Sequence, residues 1–163
     1  MLKKILYGFI ILLVLALVAF FVLFFRLSGQ SELLVNAGLQ NNLLQDCPDR
    51  PSCVSSLATV EEHAIAAFNV PPGFSDPVAA MADLIMSMPR AEILELNDDY
   101  LHATFHSAFF GFVDDFEILK DSASLQVRSV SRVGFSDMGV NRERVEKLRI
   151  LWEQELAQDR VED

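Results

Sequence analysis

The feature that most constrains this chain is an uninterrupted apolar run near its amino terminus. From Ile5 to Phe25 the sequence carries no charge and no proline. As a helix rising about 1.5 Å per residue, the run would extend about 31 Å, close to the hydrocarbon thickness of a bilayer. A cleaved signal peptide would have a shorter apolar region ending in small residues, whereas this run ends in FFVLFFR. The run therefore predicts an uncleaved transmembrane anchor.

Charge at the two ends of the run predicts its orientation. Lys3 and Lys4 precede it and Arg26 alone follows, and positive charge favours the cytoplasmic side. We therefore expect the rest of the chain to lie outside the cytoplasm. The net charge is −10, and three of the 13 basic residues sit at the anchor, so the remainder is strongly acidic. Such a charge repels phosphate backbones and excludes nucleic acid as an expected partner; we attribute it to solubility.

The two cysteines, Cys47 and Cys53, both follow the anchor, in CPDRPSC. Outside the cytoplasm a nearby pair is most simply a disulfide, with free thiols as the alternative. A zinc site would need four ligands, and no histidine is local. We expect a disulfide and no metal here.

The chain divides into an anchor (1–26), a tether with the cysteine loop (27–58) and a globular domain (59–163). In the domain, HAIAAFNV predicts a strand, and SDPVAAMADLIMSMP predicts a helix with Asp76 as N-cap and Pro77 at its first position. Four strands and a final helix starting at Asn141 follow. We therefore predict an α+β fold, an antiparallel sheet in β-α-β-β-β-β-α order with both helices on one face. This order resembles a helix-grip (TBP-like) fold.

Turn residues between the strands predict two hairpins. Pairing Asn97 with Tyr100, and Lys120 with Ala123, separates apolar from polar residues on the two faces of the sheet. The second register predicts three cross-strand pairs: Asp115 with Arg128, Gly111 with Arg132, and Asp114 with Ser129. Because glycine cannot cover it, Arg132 is expected to be exposed and suited to a partner's carboxylate or phosphate, although simple solvation is the alternative.

Three segments resemble the signature blocks of domain of unknown function (DUF) 1499: GLQNNLLQDCPDRPSCVSS, FGFVDDFEI and VRSVSRVGFSDMGVNRERVEKLR. The second contains the family's Asp-Asp-x-Glu pattern, whereas its usual Pro-Asn-Cys is Pro51-Ser52-Cys53 here. The resemblance implies a bacterial envelope or plastid setting and no established activity. With the predicted orientation, it leads us to expect a single-pass protein of the bacterial inner membrane with a periplasmic domain.

Candidate chemistry is limited by spacing. His102 and His106 lie about 13 Å apart along a strand and cannot share one metal ion, so we expect no metal and no cofactor. No G-x-S-x-G elbow supports a serine nucleophile. The candidate catalytic residues are Asp114, Asp115 and Glu117, and the candidate binding residues are Arg128, Arg132, Asp137, Asn141 and Arg142. For Asp137 and Asn141 the competing explanation is a turn and a helix cap.

Two functions are compatible with these residues. The first is a membrane-anchored extracytoplasmic binding domain, which uses an open sheet face or a cavity under the helices to hold a lipid, a small anionic ligand or an envelope protein. The alternative is a hydrolase in which the three carboxylates act as general acid or base while arginines hold an anionic substrate. We favour the first because the sequence contains no recognisable nucleophile, metal set or phosphate loop.

Overall fold

The computed structural model of the chain describes the backbone of residues 2–162 and the side chains of residues 3–27, 29–31 and 34–159. Within these bounds the chain forms three helices and eight strands. In chain order they are α1 (Leu2–Leu33), β1 (Leu39–Gln40), β2 (Leu43–Leu44), β3 (Cys53–Ser55), β4 (Phe68–Asn69), α2 (Pro77–Ser87), β5 (Ala91–Leu96), β6 (Tyr100–His106), β7 (Val113–Asp121), β8 (Ser124–Ser131) and α3 (Val140–Glu162).

Helix α1 contains the apolar run and continues beyond it. The stretch Lys3–Ser31 has a mean hydropathy of 3.2 in its most apolar window, and none of that window is buried by the rest of the chain. By length and composition, this helix could cross a membrane as an anchor or serve as a signal sequence.

The main sheet has six strands and is antiparallel throughout. Its order is β3-β8-β7-β6-β5, and β4 pairs with another part of β8. The two predicted hairpins are present as β5–β6 and β7–β8. The α+β class with an antiparallel sheet is therefore confirmed.

The start of the sheet differs from the prediction. HAIAAFNV forms only the two-residue strand β4, and the longer contact with β8 is made by Cys53–Ser55. Residues 53–55 fall in the predicted tether (27–58), so the sequence predicts no strand there. The strand is three residues long and follows two prolines, so it carries too little alternation to be recognised from the sequence.

The register of the β7–β8 hairpin is also corrected. Asp121 pairs with Ser124, and consequently Glu117 rather than Asp115 lies opposite Arg128. The difference is two residues along one strand, and a shift of two keeps every side chain on its predicted face. In β5–β6 the predicted pair of Leu96 with Leu101 is present, but a bulge follows, so that Ile93 rather than Leu94 opposes Ala103.

The core lies between one face of the sheet and the helices α2 and α3. It is formed by aliphatic and aromatic side chains from the sheet and both helices: Phe68, Val78, Met81, Ile85, Leu101, Phe116, Ile118, Leu125, Val127, Val145, Leu148 and Trp152. These side chains fill the space under the helices. The two helices therefore cover a packed hydrophobic core.

Both helix starts differ in detail from the prediction. Asp76 does occupy the N-cap of α2, but in a left-handed conformation and with no side-chain capping bond. At α3 the capping side chain is Asp137, whose Oδ2 accepts the backbone N–H of Asn141 at 2.8 Å. Asn141 itself is fully buried. The predicted capping role therefore belongs to Asp137.

The cysteine loop is closed as expected. Cys47 and Cys53 form a disulfide with a Cα–Cα distance of 5.7 Å. Arg50, within the loop, donates to the backbone oxygens of Ser131 at 2.6 Å and Gly134 at 2.7 Å. The loop is thus joined to the end of β8, next to the strand β3 that it precedes.

Candidate functional site

The sheet face opposite the helices carries a cluster of ionisable side chains. Alternation along β6, β7 and β8, continued one residue past the end of β8, directs them to this face. All of them are buried: Tyr100, His102, Asp115, Glu117, Arg128 and Arg132. We call these six residues the charged cluster. Their burial is the first surprise of the structure, because the sequence predicted an open polar face.

Glu117 is the centre of one half of the charged cluster. Its Oε2 accepts from Arg128 Nη1 at 2.8 Å, and its Oε1 accepts from the Tyr100 hydroxyl at 2.7 Å. Glu117 and Arg128 are 0% and 1% exposed, so this ion pair is shielded from water. Burial, together with the hydrogen bond to the Glu117 carboxylate, raises the pKa of Tyr100 well above its usual value.

Asp115 is the centre of the other half. Its two oxygens accept from Arg132 Nε at 3.0 Å and Nη2 at 2.8 Å, a bidentate pair, and Oδ1 also lies 2.8 Å from His102 Nε2. Burial alone would raise the pKa of Asp115. The hydrogen bonds from His102, Arg132 and a backbone N–H outweigh burial and hold this pKa below its ordinary value.

What covers the charged cluster is the last turn of α1 and the chain that follows it, residues 31–46. We call these residues the juxtamembrane segment, because α1 has the length and composition of a helix that could cross a membrane. The backbone of this segment supplies both donors and acceptors. Asn36 N–H donates to Asp115 at 2.9 Å, and Gly38 N–H donates to Glu117 at 2.7 Å.

The arginines of the charged cluster complete this contact. Arg128 donates to the carbonyl of Asn36 at 2.7 Å and to that of Asp46 at 3.3 Å. Arg132 donates to the carbonyl of Ser31 at 3.1 Å. Side chains of the sheet thus bind a specific stretch of the chain's own backbone.

These contacts correct the prediction for Arg132. We expected this side chain to be exposed, and it is 8% exposed, paired with Asp115 and bonded to Ser31. Two causes account for the error. The hairpin register is shifted by two residues, and the juxtamembrane segment, which contains no regular pattern to indicate where it docks, closes over the strand.

A second polar group lies on the helix side of the sheet. Asp114 pairs with Arg144 Nη2 at 2.6 Å, and Arg144 also donates to the hydroxyl of Ser129 at 3.1 Å. Ser129 in turn donates to Asn141 Oδ1 at 2.6 Å. Asp114 and Ser129 were expected to meet directly, but Arg144 joins them instead.

The structure therefore separates the predicted site residues. Arg128 and Arg132 lie under the juxtamembrane segment, whereas Asp137 and Asn141 interact with each other at the start of α3. Arg142 donates to the carbonyls of Ala64 and Glu62, both at 2.8 Å. Each predicted residue has an internal structural role. Tyr100 and His102, which we did not predict as members, complete the charged cluster, and their alternation on β6 was the signal available for finding them.

The chemistry open to the carboxylates is limited by these partners. Asp115 and Glu117 are both 0% exposed, and protein groups surround them. General acid catalysis at neutral pH needs a carboxyl with a raised pKa, whereas that of Asp115 is lowered. Among the described residues, no three His, Cys, Asp or Glu side chains are grouped as metal ligands. The charged cluster has the properties of an internal docking site.

An open cleft of about 370 Å³ lies on the helix side, between the end of α2, the end of β6 and the start of α3. Its apolar walls include Met88, Phe105 and Val140. The charges that line it are Arg90, Arg144, Lys147, Asp114 and Glu143. Since Arg144 and Asp114 neutralise each other, the exposed Arg90 and Lys147 outnumber the one remaining carboxylate. We call this the cationic cleft.

Comparison with known proteins places the chain in a family. Residues 43–151, more than half of the chain, match the family model described as Protein of unknown function (DUF1499). No curated protein and no solved structure matches the chain. The matched range contains the disulfide, the strands that carry the charged cluster, and all of the residues that line the cationic cleft. By this match the chain belongs to the DUF1499 family.

Proposed function

We propose that this protein is a membrane-anchored, extracytoplasmic binding domain of the bacterial inner membrane, which holds an anionic amphiphile, such as a lipid with a phosphate headgroup, in its cationic cleft. Helix α1 would be the anchor, with its lysine-bearing end in the cytoplasm and the domain in the periplasm. Two helices across one face of an antiparallel sheet suit a helix-grip arrangement, which we include in the proposal.

The observation that carries this proposal is the docking of the juxtamembrane segment on the charged cluster. Because the sheet binds the backbone of Ser31, Asn36 and Gly38 directly, the domain cannot swing freely on its anchor. Ser31 Oγ also accepts the backbone N–H of Val113, at the start of β7. One end of the sheet is therefore held next to the helix, on the side that would face the membrane.

The cationic cleft opens at that same end. It is lined by residues 105–108, at the end of β6, and His106 pairs with Val113 across the two strands. A cleft with apolar walls and exposed cations beside a membrane suits a ligand with both an acyl part and an anionic group. Binding is favoured over the hydrolase alternative because the expected catalytic carboxylates are sealed or already paired.

Native mass spectrometry of the detergent-extracted full chain tests the proposal, with phosphatidylglycerol and phosphatidylcholine as probes. Wild-type protein should retain more phosphatidylglycerol than phosphatidylcholine. Lys147→Glu and Arg90→Glu, both at exposed positions of the cationic cleft, should each remove that preference.

Lys120→Glu is the matched control. It makes the same charge change at an exposed lysine near the opposite end of the sheet, where Lys120 lies 3.7 Å from Asp99. The control should retain the wild-type preference. Equal loss in all three variants would attribute the effect to overall charge and contradict a specific cleft, as would an unchanged preference in the two cleft variants.

A further inference from the structure

The loop between β6 and β7 is an exposed apolar feature of the domain. Residues 107–112 read SAFFGF and include no charge, in a chain whose net charge is −10. Phe109 is 88% exposed and Phe110 is 40% exposed. An exposed aromatic pair of this kind marks an interaction surface.

The loop has a defined conformation. Ser107 N–H donates to the carbonyl of Phe112 at 2.8 Å, and Phe112 N–H donates to the Ser107 hydroxyl at 2.9 Å. Gly111, between them, has a positive φ of 66°, which costs glycine little. The exposure of Phe109 thus results from a closed turn that holds the aromatic side chains outward.

The same loop touches the apolar helix directly. The ring of Phe24 lies 4.0 Å from the ring of Phe110 and 4.9 Å from that of Phe112, measured between centroids. Phe24 belongs to the apolar run. At about 1.5 Å per residue, a hydrocarbon core about 30 Å thick is crossed by about 20 residues. A span that starts at Ile5, just after the lysines, therefore ends near Phe24.

From this arithmetic we propose that the Ser107–Phe112 loop enters the outer leaflet of the membrane that α1 crosses, with Phe109 at the boundary between headgroups and acyl chains. The inference rests on the proposed function, since it needs α1 to span the bilayer. The loop's contact with Phe24 sets its depth, and aromatic side chains are favoured at that depth. Because the loop carries no charge, anionic headgroups do not repel it. The domain would then contact the membrane at two points, the anchor and this loop.

Tryptophan fluorescence of the full chain in lipid vesicles tests the inference. The sole native tryptophan, Trp152, is 2% exposed in the core and gives a constant background. Phe109→Trp adds a second tryptophan at the tip of the loop. Bromine quenches a tryptophan only at short range. Phosphatidylcholine brominated in the upper part of its acyl chains should therefore quench the added emission by about half or more if the loop lies at the boundary between headgroups and acyl chains. Acrylamide in the water should have little effect on it.

Two matched variants make the result decisive. Ile150→Trp adds a tryptophan at a 59% exposed position on α3, about ten residues from the start of that helix, and brominated lipid should leave it unquenched. Phe9→Trp adds one inside the apolar run and should be quenched. If Phe9→Trp is quenched and Phe109→Trp is quenched only by acrylamide, the loop lies in water and the inference fails while the anchor stands.

Two further outcomes would also overturn the inference. Protection of Phe109→Trp from both quenchers would place the loop against protein, such as a second copy of the chain. Absence of quenching in Phe9→Trp would instead remove the anchor itself, and the proposed function and the inference would fail together.

Discussion

At the scale of single residues, the charged cluster explains why strongly polar side chains can be buried in this domain. An isolated buried charge costs several kcal/mol, and an ion pair offsets that cost only when its remaining hydrogen-bonding groups are also satisfied. Glu117 receives a guanidinium, a hydroxyl and a backbone N–H. Of the Arg128 guanidinium, Nη1 and Nη2 are bonded and only the buried Nε has no hydrogen-bond partner among the described residues. These contacts make the cluster specific for one arrangement of the chain.

The first prediction concerns Arg128, which is 1% exposed. Arg128→Ala would leave Glu117 buried without its counter-charge and would release the carbonyls of Asn36 and Asp46. Removing one partner of a buried pair costs about 3–5 kcal/mol, so the free energy of unfolding should fall by about this amount. Urea unfolding in detergent, followed by Trp152 fluorescence, measures the change.

Lys120→Ala is the control for that measurement. Lys120 forms an exposed pair with Asp99 at 3.7 Å, and exposed pairs contribute about 0–1 kcal/mol. The control should therefore unfold close to the wild type. If Arg128→Ala unfolded as late as the control, the charged cluster would contribute no net stability, and its burial would need another explanation.

At the scale of secondary-structure elements, the sequence predicted those elements whose pattern is long. The N-terminal helix follows from its continuous apolar run, and both later helices and the four strands of the hairpins follow from apolar periodicity and turn residues. Strand β3, with only Cys53–Ser55, is too short to show alternation. The β7–β8 register was wrong by two because both alignments place the same side chains on the same faces, and periodicity cannot distinguish them.

The candidate site was less predictable than the fold. The sequence named Asp115 and Glu117 as catalytic candidates and Arg128 and Arg132 as binding candidates, without predicting that they meet. The structure pairs Glu117 with Arg128 and Asp115 with Arg132. It could not indicate that residues 31–46 cover them, because the docking uses backbone groups of that segment. Backbone N–H and C=O groups are the same at every non-proline position, so no side-chain pattern records where they bind.

Docking of the juxtamembrane segment gives the second prediction. The amides of Asn36 and Gly38 donate to buried carboxylates although neither residue lies in a helix or strand. Both amides should exchange with solvent deuterium at least about 100-fold more slowly than an unstructured peptide. Hydrogen exchange of the full chain in detergent, read by mass spectrometry of peptic peptides, provides the measurement.

The amides of residues 73–76, in the connection before α2, supply an internal comparison, because no hydrogen bond joins them to the charged cluster within the part of the chain that the structure describes. Arg128→Ala should speed exchange at residues 36 and 38 much more than in this connection. Exchange at 36 and 38 as fast as in a free peptide would mean that the segment does not dock, and the orientation of the domain would then lose its physical basis.

At the scale of the whole molecule, three features fit one arrangement. The apolar run of α1 ends beside the loop that carries Phe109. The juxtamembrane segment fixes the sheet to that helix, and the cationic cleft opens at the same end of the sheet. The disulfide closes the loop between Cys47 and Cys53, and Arg50 in that loop bonds to the end of β8. An oxidising compartment would preserve that bridge, in agreement with the proposed location outside the cytoplasm.

The last prediction tests that location. Lys3 and Lys4 precede the apolar run and Arg26 alone follows it, and this bias should keep the amino terminus in the cytoplasm. Alkaline phosphatase, which is active only where its disulfides form, should therefore be active when fused after Asp163 in a bacterial host. A cytoplasmic fluorescent protein fused at the same position should be dark. Replacing Lys3 and Lys4 by glutamate while adding two lysines after Arg26 should reverse both signals, because the positive bias is reversed while the apolar run is unchanged. An inactive phosphatase together with a bright cytoplasmic reporter in the unaltered chain would place the domain in the cytoplasm and refute the proposed topology.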